Sequence, residues 1–376
     1  MANTLEVLIV EDNNLDIQSY SDAISIVNER HEGNYRIRPV FKKEQAEAEE
    51  LLRGHDWAAA FIDLKLSSDN IVAAEEGNEI VRQIFEKLRF PVIVLSNTPK
   101  QIDPDFPESK FLKICDKSNV QYTDLFEEII QISKTGIIEI LGGKGIIDDY
   151  ISKIFWKHIN KTMDYWLEQE LENDEVKKIL LRYTLSHLQE NLYRNDAGEF
   201  ESHHSPEFYI IPPINDEIFT GDIVGYENSK YIVLNPACDL VIRNYKAYLK
   251  ESELPVRNSK FFLLAKLLEL NEISELENLN TSNKSRNKLD KYCKKGQYYF
   301  LPPFLDLKGY LIDFQNIKSI STEHEKEMDI IATVATSFLK DIIARFSFYY
   351  SRQGAPDLDS DHYYPLIVSN YQSTDH

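Results

Sequence analysis

A doubly wound α/β domain with a five-stranded parallel sheet is the fold class predicted for the first third of this 376-residue sequence, and three observations predict it. Short, nearly unbroken apolar runs at Val7–Val10, Ala58–Ile62 and Pro91–Leu95 have the length and composition of strands buried on both faces. Stretches of helical composition or period separate the runs, so β and α alternate five times. Each run also ends on polar residues: Glu11 and Asp12, then Asp63, then Ser96, with Lys117 just after a further run, Phe111–Cys115. In such sheets ligands bind beyond the carboxyl ends of the strands, where these five residues would converge.

The elements follow in order. Strand 1 is expected over Glu6–Val10, a helix over Leu15–Glu29, and strand 2 over Tyr35–Phe41. Glu- and Ala-rich Lys43–Gly54 has helical propensity. Strand 3 runs from Ala58 to Asp63, and Ser67–Glu75 reads as a polar loop. In Gly77–Leu88 the apolar residues Ile80, Val81, Ile84 and Phe85 fall on one helical face. Strand 4 ends at Ser96, strand 5 at Ile114 or Cys115, and Thr123–Ser133 supplies the last helix.

From Gly136 to Arg194 the pattern is helical, with Ile151, Ile154, Phe155 and Ile159 followed by Leu181, Leu185, Leu188 and Leu192; it predicts a docked helical connector. Beyond it come short β-like runs at Phe208–Ile211, Gly221–Val224, Tyr231–Leu234, Tyr298–Leu301 and Tyr310–Phe314. Lys260–Leu270 is helix or strand, because a continuous apolar run has no diagnostic period. Polar Asn271–Lys295 reads as a surface loop or exposed helix, Ser321–Tyr350 as one long helix, and the Asp- and Tyr-rich end as a partly ordered tail. The expected domains are therefore 1–134, a connector over 135–200, and an α+β domain over 201–376.

Composition limits the function classes. The net charge is −20, with 25 acidic against 15 basic residues up to Lys134 and 37 against 27 after it. A DNA-binding output domain concentrates positive charge, so DNA binding is disfavoured here. Cys115, Cys238 and Cys293 form no CxxC pair and no disulfide framework, which fits a reducing cytoplasm. There is no secretory leader pattern at Met1–Glu6 and no run long enough for a membrane span.

The chemistry follows from oxygen donors. Mg²⁺ prefers hard oxygen ligands in an octahedral shell, which Glu11, Asp12 and Asp63 could supply at strand ends. A carboxylate beside the metal can attack a phosphoryl group, because the cation offsets anion–anion repulsion. Ser96 could hydrogen-bond one phosphoryl oxygen and Lys117 pair with another.

These residues carry a resemblance. Ile9-Val10-Glu11-Asp12-Asn13, Phe61-Ile62-Asp63-Leu64-Lys65, Val94-Leu95-Ser96-Asn97 and Cys115-Asp116-Lys117-Ser118, in this order, make residues 1 to about 133 resemble the flavodoxin-like receiver domain of two-component response regulators. The resemblance implies Asp63 as phosphoacceptor, with Glu11, Asp12, Asp63 and the backbone carbonyl of Lys65 as Mg²⁺ ligands. It also implies Ser96 as switch hydroxyl, Lys117 as phosphoryl partner, and a histidine kinase or phosphotransfer protein as donor. The chain departs from the family pattern at Ser67 or Ser68 and at Ser118, where prolines are usual. Asn97 replaces a very small residue and Ile114 an aromatic one. Two other readings stand beside a phosphorylated switch: an unmodified receiver-fold binding module in a multi-protein system such as a defence locus, and an effector enzyme in the C-terminal part. A homodimer is compatible with each.

Weaker candidates have ordinary explanations. Cys238 would need a base such as His203 or His204 to act as a nucleophile, and buried thiols mostly just pack. Adjacent histidines on a strand would face opposite ways, so a polar loop is expected there. The runs around Gly221–Val224 and Tyr231–Asn235 faintly resemble the opening hairpin of SH3-like barrels in ribonuclease toxins, without a matching catalytic arginine. Gly142-Gly143-Lys144-Gly145 lacks phosphate-loop spacing and predicts a helix break. Lys284–Lys288 reads as a solvated basic loop, and Arg352 as a residue at a helix end. Phe346, Phe348, Tyr349 and Tyr350 are expected in a core or a subunit interface.

Overall fold

The computed structural model describes residues 2–52, 56–63, 78–84, 88–97, 109–142, 145–168, 173–193, 197–242, 257–354 and 356–372. The chain divides into two units, Met1–Phe200 and Glu201–His376.

Alternation within the apolar runs builds the first unit. Strands β1 (Asn3–Val10), β2 (Tyr35–Lys42), β3 (Ala59–Asp63), β4 (Val92–Ser96) and β5 (Leu112–Asp116) form one all-parallel sheet in the order β2-β1-β3-β4-β5. Val7, Ile9, Ala59, Phe61, Ile93 and Leu95 point to one face, against α1 (Asn14–Arg30) and α4 (Tyr122–Lys134). Their neighbours Leu8, Val10, Ala60, Ile62, Val92 and Val94 point to the other, against α2 (Gln45–Leu52) and helix α3 (78–84). Burying a side chain of this size stabilises by roughly 1.5–3 kcal/mol, and both faces contribute. That is why the runs lack polar alternation. The expected boundaries of these elements hold to within a few residues. Ser67–Glu75, Lys65, and Gly77 and Phe85 of the expected third helix lie outside the described residues.

After α4 come α5 (Ile137–Leu141) and α6 (Ile146–Ile154), then a π-helical turn (Phe155–Ile159), α7 (Met163–Leu167) and α8 (Asn173–Leu192). Gly142 closes α5 and Gly145 opens α6, so the glycine-rich stretch is a helix break as expected; Gly143 and Lys144 lie outside the described residues. Among the described residues no helix is long and apolar enough to cross a membrane.

The second unit centres on a seven-stranded antiparallel sheet in the order β10-β11-β9-β8-β7-β12-β6. Its strands are β6 (Tyr209–Ile210), β7 (Asp222–Tyr226), β8 (Ser229–Val233), β9 (Phe261–Glu269), β10 (Tyr298–Leu301), β11 (Tyr310–Ser321) and β12 (Asp329–Val334). Lys260–Leu270 is thus a strand, its alternate residues Ala265 and Leu267 facing one cluster and Phe262 and Leu264 the other. Hairpin β7–β8 turns through Glu227 and Asn228, with φ of 45° and 59°, the two-residue turn whose twist matches antiparallel strands. Ahead of it Gly221, at φ 89°, takes the left-handed conformation that favours glycine, and a Cβ there would also press on Leu339 Cδ2 at 2.6 Å.

Three expectations are corrected here. Ser321–Tyr350 is not one helix: it ends β11, passes a 3₁₀ turn, forms β12, and becomes helical only in α11 (Thr336–Ser351). The β-branched Ile330, Ile331, Thr333 and Val334 favour the strand, and pairing with β7 and β6 fixes it. The C-terminal tail contains a helix, α12 (Ser360–Gln372), despite Pro365 within it. Lys284–Lys288 likewise lies on a helix, α10 (Asn283–Cys293), capped by Ser282 and with Ser285 buried, and not in a loop. On α11, Phe338, Ile342, Phe346 and Tyr349 pack on the sheet at helical spacing, whereas Phe348 and Tyr350 are exposed.

Between β8 and α9 (Ala237–Leu240), the buried Asn235 fastens two strands: its Oδ1 accepts from Leu263 N–H at 2.6 Å and its Nδ2 donates to Phe261 O at 2.9 Å. Asn235→Ala leaves both backbone groups without these partners, so a loss of about 2 kcal/mol is expected in urea unfolding. An unchanged midpoint would show that water replaces the amide.

Candidate functional site

The carboxyl edge of the parallel sheet gathers the polar residues that end its strands. Glu11 follows β1, Asp63 is the last residue of β3, Ser96 the last of β4, and Lys117 follows β5. All three of Glu11, Asp63 and Ser96 are buried, and Asp12 is exposed. Carboxylate oxygens of Glu11, Asp12 and Asp63 lie within 4.8 Å of one another. The strand order reverses between β1 and β3, the switch point where α/β sheets open a crevice.

One ammonium holds the cluster together. Lys117 Nζ donates to Glu11 Oε2 at 2.6 Å, lies 3.0 Å from Asp63 Oδ2, and reaches Asp16 Oδ2 at 3.1 Å. Its side chain is only 8% exposed, so these are charge-assisted contacts at low local dielectric. Burial opposes the ammonium's charge, but the hydrogen bonds and charges of Glu11 and Asp63 outweigh it and raise the pKa above that of an ordinary lysine. Glu11 is pushed up to about 7, first by burial and further by Asp63, with Lys117 and the Asn13 N–H acting in the opposite direction.

Local structure explains the aim of each group. Asn13 caps α1, its Oδ1 accepting from Leu15 N–H, while its own N–H donates to Glu11 Oε1 at 3.1 Å. After β5, Lys117 N–H donates to Ser96 O, which ties the lysine to the end of β4. Both the N–H and the hydroxyl of Ser118 donate to Asp116 Oδ1. This closes the turn by hydrogen bonds. Asn97 is exposed beside Ser96, and Ile114 is half-buried within β5. Behind the cluster, Tyr20 is fully buried against Phe61, Tyr122 and Phe126, and its hydroxyl has no hydrogen-bond partner among the described residues. Burial first, with the charges of Glu11, Asp63 and Asp16 adding, raises its pKa well above the usual value.

The sequence reading missed Asp16. It lies in the first turn of α1, four residues past Asp12, and the start of that helix at the Asn13 cap places its carboxylate beside Lys117 at the strand ends. That spacing was the available signal. Lys65, expected to offer a carbonyl, lies outside the described residues.

The weaker candidates separate. Cys238 is exposed with its Sγ 3.8 Å from Asp239 Oδ1. His203 and His204 instead line a cleft of about 320 Å³ with Cys293, Tyr299 and Arg345, and His203 pairs with Glu207. Arg352 ends α11 with its guanidinium 3.9 Å from the ring centre of Tyr349.

As a donor set the cluster suits Mg²⁺: all its groups are hard oxygens, three carboxylates meet at one point, and Glu11 carries the strain of burial that a cation would relieve.

No protein-family model and no curated protein matches the chain. Solved structures do. A response regulator from Thermotoga maritima is 18% identical over 35% of this chain and 98% of its own, with a TM-score of 0.25. The Francisella response regulator 1452 receiver domain is 16% identical over 35% and 98%, with a TM-score of 0.24. The receiver domain of a sensor histidine kinase from Pseudomonas aeruginosa, solved with a magnesium ion coordinated in its active-site cleft, is 17% identical over 34% and 96%, with a TM-score of 0.26. Likeness at these levels carries no argument about this chain; the strand order by itself gives its first third the doubly wound 2-1-3-4-5 architecture of flavodoxin-like α/β domains.

Proposed function

We propose that the chain is a response-regulator-like signalling protein in which Asp63 accepts a phosphoryl group in a Mg²⁺-dependent reaction. The observation that carries this reading is the Lys117 ammonium, 3.0 Å from Asp63 Oδ2 at the mouth of a buried carboxylate cluster. An oxygen of Asp63 attacks phosphorus, the bond from phosphorus to the donor's leaving group breaks, and an acyl phosphate forms. Lys117 pairs with one phosphoryl oxygen and the Ser96 hydroxyl donates to another. Glu11, Asp12 and Asp63, with the Lys65 carbonyl, would hold Mg²⁺, which offsets the repulsion between carboxylate and phosphoryl oxygens. The donor class is the phosphohistidine of a kinase or phosphotransfer protein. Residues 1–134 act as receiver and 135–200 as connector, with 201–376 as an acidic output unit that makes no use of DNA phosphates.

Exposure to a small acyl phosphate donor is expected to add one phosphoryl mass to the wild type with Mg²⁺ present. Chelator or Asp63→Asn should abolish the addition. A folded wild type that takes up no phosphoryl group would sink the assignment and favour a receiver-fold binding module.

A further inference from the structure

We propose that Asp16 is a positioning residue for Lys117: it is the counter-ion that retains the ammonium when a divalent cation takes Glu11 and Asp63. This rests on the reading of the carboxylate cluster as a Mg²⁺ site.

The argument starts from how the oxygens are occupied. Glu11 Oε1 accepts from the Asn13 N–H and Oε2 accepts from Lys117, so both oxygens of this buried carboxylate are engaged. Asp63 Oδ2 is also within contact of the ammonium. A cation bound among Glu11, Asp12 and Asp63 therefore competes with Lys117 for the same carboxylates and repels it at short range. The lysine has nowhere apolar to go, since an 8% exposed ammonium without a counter-charge is costly. Asp16 resolves the competition. Its carboxylate is 3.1 Å from the same Nζ, is 29% exposed, and stands apart from the three residues whose oxygens converge. It is fixed on the first turn of α1, whose start is set by the Asn13 cap. Lys117 can thus release Glu11 and Asp63 while keeping one ion pair, and it stays poised beside Asp63 for an incoming phosphoryl oxygen.

The test is a double-mutant cycle on the full chain, read by calorimetric titration with Mg²⁺ alone. Asp16→Asn is expected to weaken Mg²⁺ binding about fivefold, the upper range for a partly exposed ion pair. In a Lys117→Met background the same change should alter affinity by less than about twofold, because the ammonium it serves is gone. Asp16→Glu, which keeps the charge, should restore affinity to within about twofold of wild type. Lys117→Gln serves in place of Lys117→Met if the latter is unfolded without cation. An Asp16→Asn effect that is equal or larger without the lysine would overturn the proposal, since Asp16 would then act on the cation directly. If the wild type binds Mg²⁺ but the coupling is absent, only the role of Asp16 falls. A wild type that binds no Mg²⁺ at millimolar concentration removes both this role and the Mg²⁺-dependent reading beneath it.

Discussion

Lys117→Met is expected to cost about 3 kcal/mol of stability at pH 8 in chelator, and millimolar Mg²⁺ should return most of it. The methionine keeps the length of the side chain but leaves Glu11 and Asp63 buried, facing each other and Asp16, with no cation between them. Removing one partner from a buried ion cluster is costly because the remaining charge stays desolvated. Acid should shrink the loss, since the Glu11 carboxyl, raised by burial, no longer repels its neighbours once protonated. Urea unfolding at pH 8 and pH 5, with and without Mg²⁺, checks all of this. A loss that is the same at both pH values and indifferent to the cation would mean that Lys117 contributes packing alone.

Glu11→Gln has the opposite sign. The folded Glu11 carboxyl sits at about 7 against 4.5 for the unsited group, chiefly because burial penalises its charge. A folded-state pKa raised in this way contributes stability that is fully present below the unfolded value, and that contribution is lost as pH rises through about 7. Metal-free wild type should therefore weaken between about pH 4.5 and pH 7 on this account, and Glu11→Gln should not. At pH 8 in chelator the variant is expected to be more stable by about 2 kcal/mol, with little difference at pH 4.5. The amide cannot serve as an anionic ligand, so the same variant should lose Mg²⁺ stabilisation. Equal stability of the two proteins across this range would show that Lys117 fully compensates the buried charge.

Both expected results follow from carboxylates buried at a cost in stability, the usual arrangement where ionisable groups are held for function. The main residues of the site were legible in sequence because each ends an apolar run. A residue at the carboxyl end of a buried parallel strand has few other places to point. Glu11, Asp63, Ser96 and Lys117 needed only the run boundaries. Asp16 was not legible in that way, since its part depends on the rotation of α1 and on where Asn13 starts that helix. The parallel sheet was readable from runs apolar on both parities. The C-terminal unit was harder, because half-buried strands mix with polar residues. β11 continues past Asp313 through a register shift that absorbs Gln315 and Asn316, and polar residues there disguise a strand. Ile330–Val334 has apolar content with no diagnostic period, and its pairing with β7 and β6 fixes it as a strand.

The 106-residue separation between Lys117 and Glu11 has a consequence for how the domain folds. β5 docks on β4 and brings the lysine, so any partly assembled sheet lacking β5 would present the carboxylates of β1 and β3 to one another with no cation. Such partly assembled sheets would carry this repulsion unopposed, while in the complete sheet Lys117 offsets part of it. Closing this long loop is slow compared with local contacts, but it is rewarded at the moment the last strand arrives. The ion cluster thus disfavours a sheet without β5 relative to the complete one, which favours an all-or-none transition.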